Sequence, residues 1–211
     1  MQSDIAFMRS FVQYSFMIDR GKFEFIRDKY GRYSSWAIWA DEGKRPKDNM
    51  GDLSVFNLET NPGLPQQLKP EIVLVGLNVS RGCIETPLGN FHDPRPEAMD
   101  FKIRYALRGS PFWGAYMTDI IKDFDQKASG KVMTYLRKNP AFEQENVAFF
   151  RQELSDLGSP NPTLIAFGVV TYSILVRNLW ADYRIIRIPH YSDYCSKERY
   201  REEVSGILQY G

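Results

Sequence analysis

Short apolar runs separated by longer amphipathic stretches characterise the chain from residue 70 onward. Four such runs, at residues 72–76, 115–119, 163–168 and 183–188, are each bounded by Gly or Pro. Continuous apolar strands with helical segments between them are typical of a parallel sheet covered by helices on both faces. The pattern predicts an α/β fold, a three-layer sandwich around a short, mainly parallel central sheet of four strands.

The first part of the chain has a different pattern. Apolar residues at 4–28 recur at helical spacing and predict one or two helices, whereas residues 30–39 have the aromatic content of a strand. Residues 41–51 are polar and contain Gly and Pro, which indicates an exposed loop, and residues 61–70 form a connector. We therefore expect residues 1–65 to be an accessory layer of one domain spanning 1–211, because so short a segment is rarely stable alone.

Charge and composition narrow the choice of partners. The chain has 27 Lys and Arg against 26 Asp and Glu, so it lacks the basic excess that drives general binding to phosphate backbones. Local basic patches remain compatible with this balance. An aromatic content of 14% suits a large core and also surfaces that stack on bases.

Two cysteines, Cys83 and Cys195, stand far apart and outside any Cys-x-x-Cys pair. A disulfide framework or a structural zinc site is therefore unsupported, and a reducing compartment fits best. The apolar runs are too short to cross a bilayer, and residues 1–4 lack the features of a signal peptide. We expect a cytoplasmic protein, a monomer, with no membrane partner and no metal.

Polar side chains follow the predicted strands. Asn78 ends the first run, Asp119 the second, and His190 comes two residues after the fourth. Ligands of open α/β sheets bind where the strands end. These residues therefore form the candidate site.

Five segments between residues 70 and 200 resemble, in their order, the motifs of the uracil-DNA glycosylase superfamily. Residues 75–81 look like its first motif, a strand ending in Gly-x-Asn-Pro-Gly, and residues 91–94 look like the Phe and Pro of the mismatch-specific branch. Residues 115–122 and 164–171 resemble the second and third strands, and residues 188–192 resemble the His-Pro-Ser motif. The shared order is more specific than any single motif.

The resemblance implies a DNA glycosylase that hydrolyses the N-glycosidic bond of a damaged or deaminated base without a cofactor. Asn78 would orient the water, and His190 would donate to the base oxygen and stabilise the departing anion. Phe91 would stack on the extruded base, which Leu77 and Asp119 would also contact. Phosphate or DNA contacts would come from Ser80, Ser192 and Tyr194.

Asp119 occupies a position where several branches of that superfamily have an Asn. A carboxylate only accepts hydrogen bonds, so it repels the carbonyl oxygen of uracil unless it is protonated. If Asp119 faces the pocket, we expect it to favour a base edge that presents an amino or ring N–H donor. An Asp that caps the following helix is an equally good interpretation.

Other departures leave a second function open. Tyr191 replaces the Pro of the His-Pro-Ser motif, Val79 replaces the Pro of the first motif, and Asp193 would repel a nearby phosphate. These features favour a noncatalytic protein that keeps the fold and binds a nucleotide or nucleic acid. A third hypothesis is an interaction protein with Trp36 and Trp39 as an exposed aromatic patch.

The candidate residues also have ordinary structural interpretations. Asn78 is compatible with a plain turn and Phe91 with a core position, and a lone His190 after Pro is often structural. We expect His92 to be a solvated loop residue or a cap.

Overall fold

The computed structural model describes residues 18–79 and 84–210, and these residues form an α/β fold, as predicted. In chain order the elements are α1 (Arg20–Tyr30), β1 (Ser34–Trp36), β2 (Lys69–Asn78), α2 (Phe101–Leu107), β3 (Ala115–Ile121), α3 (Ser129–Lys138), α4 (Pro140–Leu157), β4 (Thr163–Phe167), α5 (Gly168–Leu179), β5 (Ile185–Ile188) and α6 (Lys197–Leu208). Two 3₁₀ turns, Leu53–Phe56 and Pro65–Gln67, lie between β1 and β2.

The sheet has five strands in the order β1-β3-β2-β4-β5, so the prediction of four strands is wrong. β2, β3, β4 and β5 are parallel to one another, whereas β1 pairs antiparallel with β3. The additional strand comes from the strand-like stretch at residues 30–39. Its pairing with a strand some 80 residues later depends on tertiary contacts, which hydrophobic periodicity does not encode.

Local signals explain where several helices begin and end. Asp19 accepts a hydrogen bond from the Lys22 amide at the start of α1, and Ser196 accepts one from the Arg199 amide at the start of α6. Gly158 ends α4 with φ +84°, a conformation that favours glycine. Of the helices predicted at residues 4–28, the described part contains α1, while residues 4–17 lie outside the described residues.

Alternate residues of the central strands enter two separate hydrophobic cores. Val73 and Val75 belong to one core, while Leu74 belongs to the other. Successive side chains of a strand point to opposite faces of the sheet, so both faces of β2 are buried. This burial explains why the strands appear in the sequence as continuous apolar runs rather than alternating ones.

A buried polar network joins β3 to α4. Glu153 is fully buried and accepts hydrogen bonds from Tyr116 Oη (2.7 Å) and Thr118 Oγ1 (2.8 Å). Lys122 Nζ lies 2.8 Å from Glu153 Oε2, in a geometry that gives an ion pair but no hydrogen bond to that oxygen. The same Nζ donates to Thr118 Oγ1. The network fixes the end of β3, where Asp119 lies.

Several aromatic side chains are more buried than the sequence suggests. Trp36 and Trp39 are 0% and 4% exposed, so the hypothesis of an exposed aromatic patch there is wrong. His92, expected in solvent, is 2% exposed and its ring packs between those of Trp39 and Phe56. Trp36, Trp39 and His92 pack in the core beside β1. This edge strand comes from the N-terminal part of the chain. Among the described residues, no helix combines the length and apolar character that a membrane span requires.

Candidate functional site

A cleft of about 870 Å³ lies at the carboxyl ends of β2, β3, β4 and β5. The strands are parallel, so the segments that follow them meet at this edge, as the sequence predicts. Four of the predicted site residues line the cleft together with Asp119: Leu77, Asn78, His190 and Ser192.

A smaller polar recess of about 60 Å³ adjoins the cleft. Its walls include Asn78 and Asp119, which also line the cleft, together with Asn90, Phe91 and Tyr191. A cavity must exceed roughly 10–15 Å³ in such a measure to hold one water, so the recess has room for only a few water-sized groups. It therefore suits the edge of a planar ring better than a whole base.

The Asn78 side chain has a fixed orientation. Its Nδ2 donates to the carbonyl oxygens of Phe124 (2.7 Å) and Gln126 (2.9 Å). Carbonyls only accept, so Nδ2 faces residues 124–126, and Oδ1 is the remaining polar atom of the side chain. Oδ1 accepts no hydrogen bond from the described residues. Asn78 therefore offers the site an acceptor.

The loop after β5 fixes the tautomer of His190. The backbone N–H of Ser192 donates to His190 Nδ1 (3.1 Å), and Ser192 Oγ lies 2.7 Å from the same atom. Because Nδ1 accepts, the proton of the neutral ring is on Nε2. Burial lowers the pKa of His190 below its usual value, although Asp193 opposes this effect. At neutral pH the ring is therefore uncharged and has an Nε2–H donor.

Asp119 lies almost completely buried, 3% exposed, at the junction of cleft and recess. Its Oδ2 accepts a hydrogen bond from Asn90 Nδ2 (2.8 Å), and its Oδ1 lies over Gly76, its partner in the β2–β3 register. A Cβ at position 76 would overlap with Oδ1. The glycine of the first motif therefore makes room for this carboxylate, and the sequence suggests only a turn there.

Phe91 is 2% exposed and lies at the wall of the recess. Its φ of +63° is unusual for an aromatic residue. Two hydrogen bonds hold this geometry: Asn90 Oδ1 accepts from the Phe91 N–H, and the Phe91 carbonyl accepts from Trp39 Nε1. A strained backbone that neighbouring groups hold in place is a frequent feature of binding sites.

Tyr191 separates His190 from Phe91. Its ring stacks on His190 at 4.4 Å between centroids and meets Phe167 edge-on at 5.2 Å. The Phe91 ring lies 6.4 Å from Tyr191, again edge-on. The side chain that replaces the Pro of the family motif therefore occupies the space between the two proposed base contacts.

The other two predicted phosphate contacts are Ser80 and Tyr194. Ser80 falls outside the described residues. Tyr194 is fully exposed on the loop that also contains His190, but it does not line the cleft.

Asn90 is a site residue that the sequence analysis missed. Its Nδ2 donates to both the Tyr33 carbonyl (2.7 Å) and Asp119, and its Oδ1 accepts from the Phe91 amide. It positions Asp119, which is 29 residues later in the chain. The only signal in the sequence is its place directly before Phe91.

The described walls of the cleft carry more negative than positive charge. Three basic residues line it, Arg95, Lys127 and Arg187. Six acidic residues line it as well: Asp93, Glu97, Asp100, Asp119, Asp193 and Glu203. This balance opposes a ligand with many phosphates.

Comparisons with known proteins give no match: no family model, curated protein or solved structure is similar to this chain. Within the described residues, no group of three or more His, Cys, Asp or Glu side chains is arranged to hold a metal ion.

Asp119 makes the stability of the protein depend on pH. Burial raises the pKa of Asp119 to about 6, against the Asn90 hydrogen bond and the charge of Lys122. An Asp in an unfolded chain titrates near about 3.9. Between these values the folded state holds a proton that the unfolded state has lost, so the free energy of unfolding falls as pH rises from about 4 to about 6.

Asp119→Asn is expected to remove this pH dependence. Relative to the variant, the parent should lose about 3 kcal/mol of unfolding free energy between pH 4 and pH 8, because one pKa unit corresponds to about 1.4 kcal/mol. Urea denaturation of both proteins at pH 4, 6 and 8 measures the difference. Groups that titrate in both proteins cancel in this comparison, so parallel pH curves would show that Asp119 titrates normally.

Proposed function

We propose that this chain hydrolyses the N-glycosidic bond of a nucleobase bound in the cleft, as its resemblance to the uracil-DNA glycosylase superfamily implies. The observation that carries the proposal is the neutral His190, whose Nε2–H is available on a wall that it shares with Asn78. The two side chains come from the ends of different strands, β5 and β2.

His190 stabilises the leaving base. When the bond between the base nitrogen and C1′ breaks, its electron pair stays on the base, and negative charge develops on the base oxygen. A neutral Nε2–H donates a hydrogen bond to that oxygen without first having to lose or gain a proton. The Ser192 N–H keeps Nδ1 as an acceptor, so the N–H donor of the neutral ring is on Nε2.

Asn78 orients the water. Its Oδ1 accepts a hydrogen bond from a water molecule, while Phe124 and Gln126 hold its nitrogen. The water oxygen bonds to C1′ and the water loses a proton to solvent, while the departing base anion takes up a proton from solvent, which gives a free base and a sugar with a hydroxyl at C1′. An amide is a poor base, so the role of Asn78 is orientation rather than proton removal.

The proposal also covers the type of fold and the cellular compartment. Alternate strand residues enter two cores, which supports a three-layer sandwich of the uracil-DNA glycosylase type. Phe91 would stack on the base, which requires Tyr191 to move aside. We place the activity in the cytoplasm, consistent with Cys195 as a free thiol.

The experiment measures base release. Purified protein is incubated with single- and double-stranded DNA that contains uracil, hypoxanthine, xanthine or a mismatch, and with free nucleosides. Abasic sites and released bases are then measured.

His190→Ala is expected to reduce the rate about 100- to 1000-fold, the usual effect of removing one donor that stabilises a developing anion. Ser192→Ala keeps the backbone N–H and should have a much smaller effect. Full activity in His190→Ala would refute the role of this residue. No release from any substrate by the folded parent would refute the hydrolase.

A noncatalytic binding protein is the second candidate, and Tyr191 favours it. In this structure Tyr191 stacks on the ring of His190 and borders the 60 Å³ recess, which leaves too little space for a whole base beside Phe91. A ligand that binds in the cleft, contacts His190 and is recovered intact would support this function.

A further inference from the structure

Two side-chain oxygens that line the recess can accept hydrogen bonds from a ligand. Asp119 Oδ1 and Asn78 Oδ1 accept no hydrogen bond from the described residues. Two donors that line the recess are engaged: Asn90 Nδ2 donates to Tyr33 and Asp119, and Arg95 Nε and Nη2 donate to Asp93. A ligand group that hydrogen-bonds to the two oxygens must bring its own donor.

Two neighbouring residues fix the position of the Asp119 carboxylate. Asn90 fixes one oxygen, and the absence of a side chain at Gly76 leaves room for the other beside β2. Asp119 is 3% exposed, so its carboxylate is largely shielded from water, and a ligand N–H can offset the cost of that desolvation.

We propose that the recess binds the exocyclic amino group of a base that carries both an amino group and a ring carbonyl, the chemical class of cytosine and guanine. The inference rests on the proposed function, since it uses the same cleft. Asp119 Oδ1 accepts from the amino group, and His190 Nε2–H donates to the carbonyl oxygen. Asn78 Oδ1 remains available to the water.

Other bases lack one half of this complementarity. Uracil and hypoxanthine have no exocyclic amino group. Their ring donors, N3–H of uracil and N1–H of hypoxanthine, lie directly beside a carbonyl oxygen, so a carboxylate that accepts from them also meets that oxygen and is repelled by it. Adenine has the amino group and no carbonyl for His190. The size of the recess agrees with this assignment, because about 60 Å³ has room for an amino group and the adjoining ring edge but not for a whole base.

The base can arrive in a free nucleoside or in a strand. The six acidic and three basic residues around the cleft favour a ligand with few phosphates, so we expect the nucleoside to bind better than the same base in DNA.

The test is a calorimetric binding series at pH 8. Deoxycytidine, deoxyguanosine, deoxyuridine and deoxyadenosine are titrated into the parent and into Asp119→Asn, which keeps the shape of the side chain. A second series uses oligothymidylates that contain a single deoxycytidine or deoxyuridine. Asp28→Asn, which changes an exposed Asp on α1, is the matched control.

We expect the parent to bind deoxycytidine and deoxyguanosine about 10- to 100-fold more tightly than deoxyuridine, the usual effect of a hydrogen bond to a charged group. Asp119→Asn should reduce this preference to less than threefold, and Asp28→Asn should retain it. The preference in either series supports the proposal. Equal binding of all four nucleosides, a preference for deoxyuridine, or a preference that survives in Asp119→Asn overturns it, as does the absence of binding in both series.

Failure of the hydrolase proposal is distinguishable from failure of this one. Selective binding of deoxycytidine without base release would leave the amino-group assignment standing and remove hydrolysis. Release of uracil but not of cytosine would support hydrolysis and overturn the amino-group assignment.

Discussion

Glu153→Ala is expected to lower the free energy of unfolding by about 3 to 5 kcal/mol, the usual cost of leaving one partner of a buried ion pair unpaired. The substitution leaves the Lys122 ammonium, itself 5% exposed, without its counter-ion. It also removes the acceptor of two buried hydroxyls, those of Tyr116 and Thr118. Urea denaturation at pH 7 measures the change.

Glu145→Ala is the matched control, because Glu145 is exposed on the same helix, α4. It should change the unfolding free energy by less than about 0.5 kcal/mol. A second comparison combines Glu153→Leu with Lys122→Met, which removes both charges together. This double variant should be more stable than Glu153→Ala, since no buried charge is left unpaired. A loss for Glu153→Ala no larger than that of the control would mean that the network contributes little to stability.

Gly76→Ala is expected to lower the free energy of unfolding by about 1 to 3 kcal/mol, the usual cost of forcing extra volume into a packed core. The new Cβ would overlap with Asp119 Oδ1 and would lie 3.1 Å from Phe91 Cζ. The carboxylate must therefore move away from Asn90. Ligand binding that depends on Asp119 should be lost as well, which calorimetry with deoxycytidine measures.

The rescue variant identifies the cause of this effect. Adding Asp119→Ala to Gly76→Ala removes the overlap, so the two substitutions should be less destabilising together than the sum of their separate effects. Gly206→Ala is the control: nothing lies near its Cβ in α6, and an Ala in a helix is favourable by about 0.5 to 1 kcal/mol relative to Gly. Strictly additive effects at positions 76 and 119 would show that the two residues do not compete for space.

The sequence predicted where individual strands lie better than it predicted how many strands the sheet has. The run at 72–76 lies in β2, and the run at 163–168 contains β4 and the first residue of α5. Both strands were predictable because both faces of the central sheet are buried, and this burial appears in the sequence as unbroken hydrophobicity. β1 has three residues, Ser34–Trp36, and contains two serines that are buried without being apolar. Its place in the sheet depends on its pairing with β3, so the pattern alone suggested an accessory layer.

The sequence likewise predicted one part of the candidate site and not another. The placement of Asn78 and His190 at strand ends was sufficient to predict that both line one cleft, because parallel strands end at one edge of a sheet. The orientation of each side chain was not predictable in the same way. The polar atom that each offers to a ligand follows from its partners, Phe124 and Gln126 for Asn78 and the Ser192 amide for His190.

The sequence by itself determined the fold class, the parallel strands and the edge of the sheet at which the cleft lies, since these follow from hydrophobic periodicity and chain direction. Only the tertiary structure decided that Asn90 and Gly76 fix Asp119, that Tyr191 stands between His190 and Phe91, and that His92 is buried. These arrangements join residues far apart in the chain, and their energies depend on distance and burial in space. Local sequence patterns contain neither quantity.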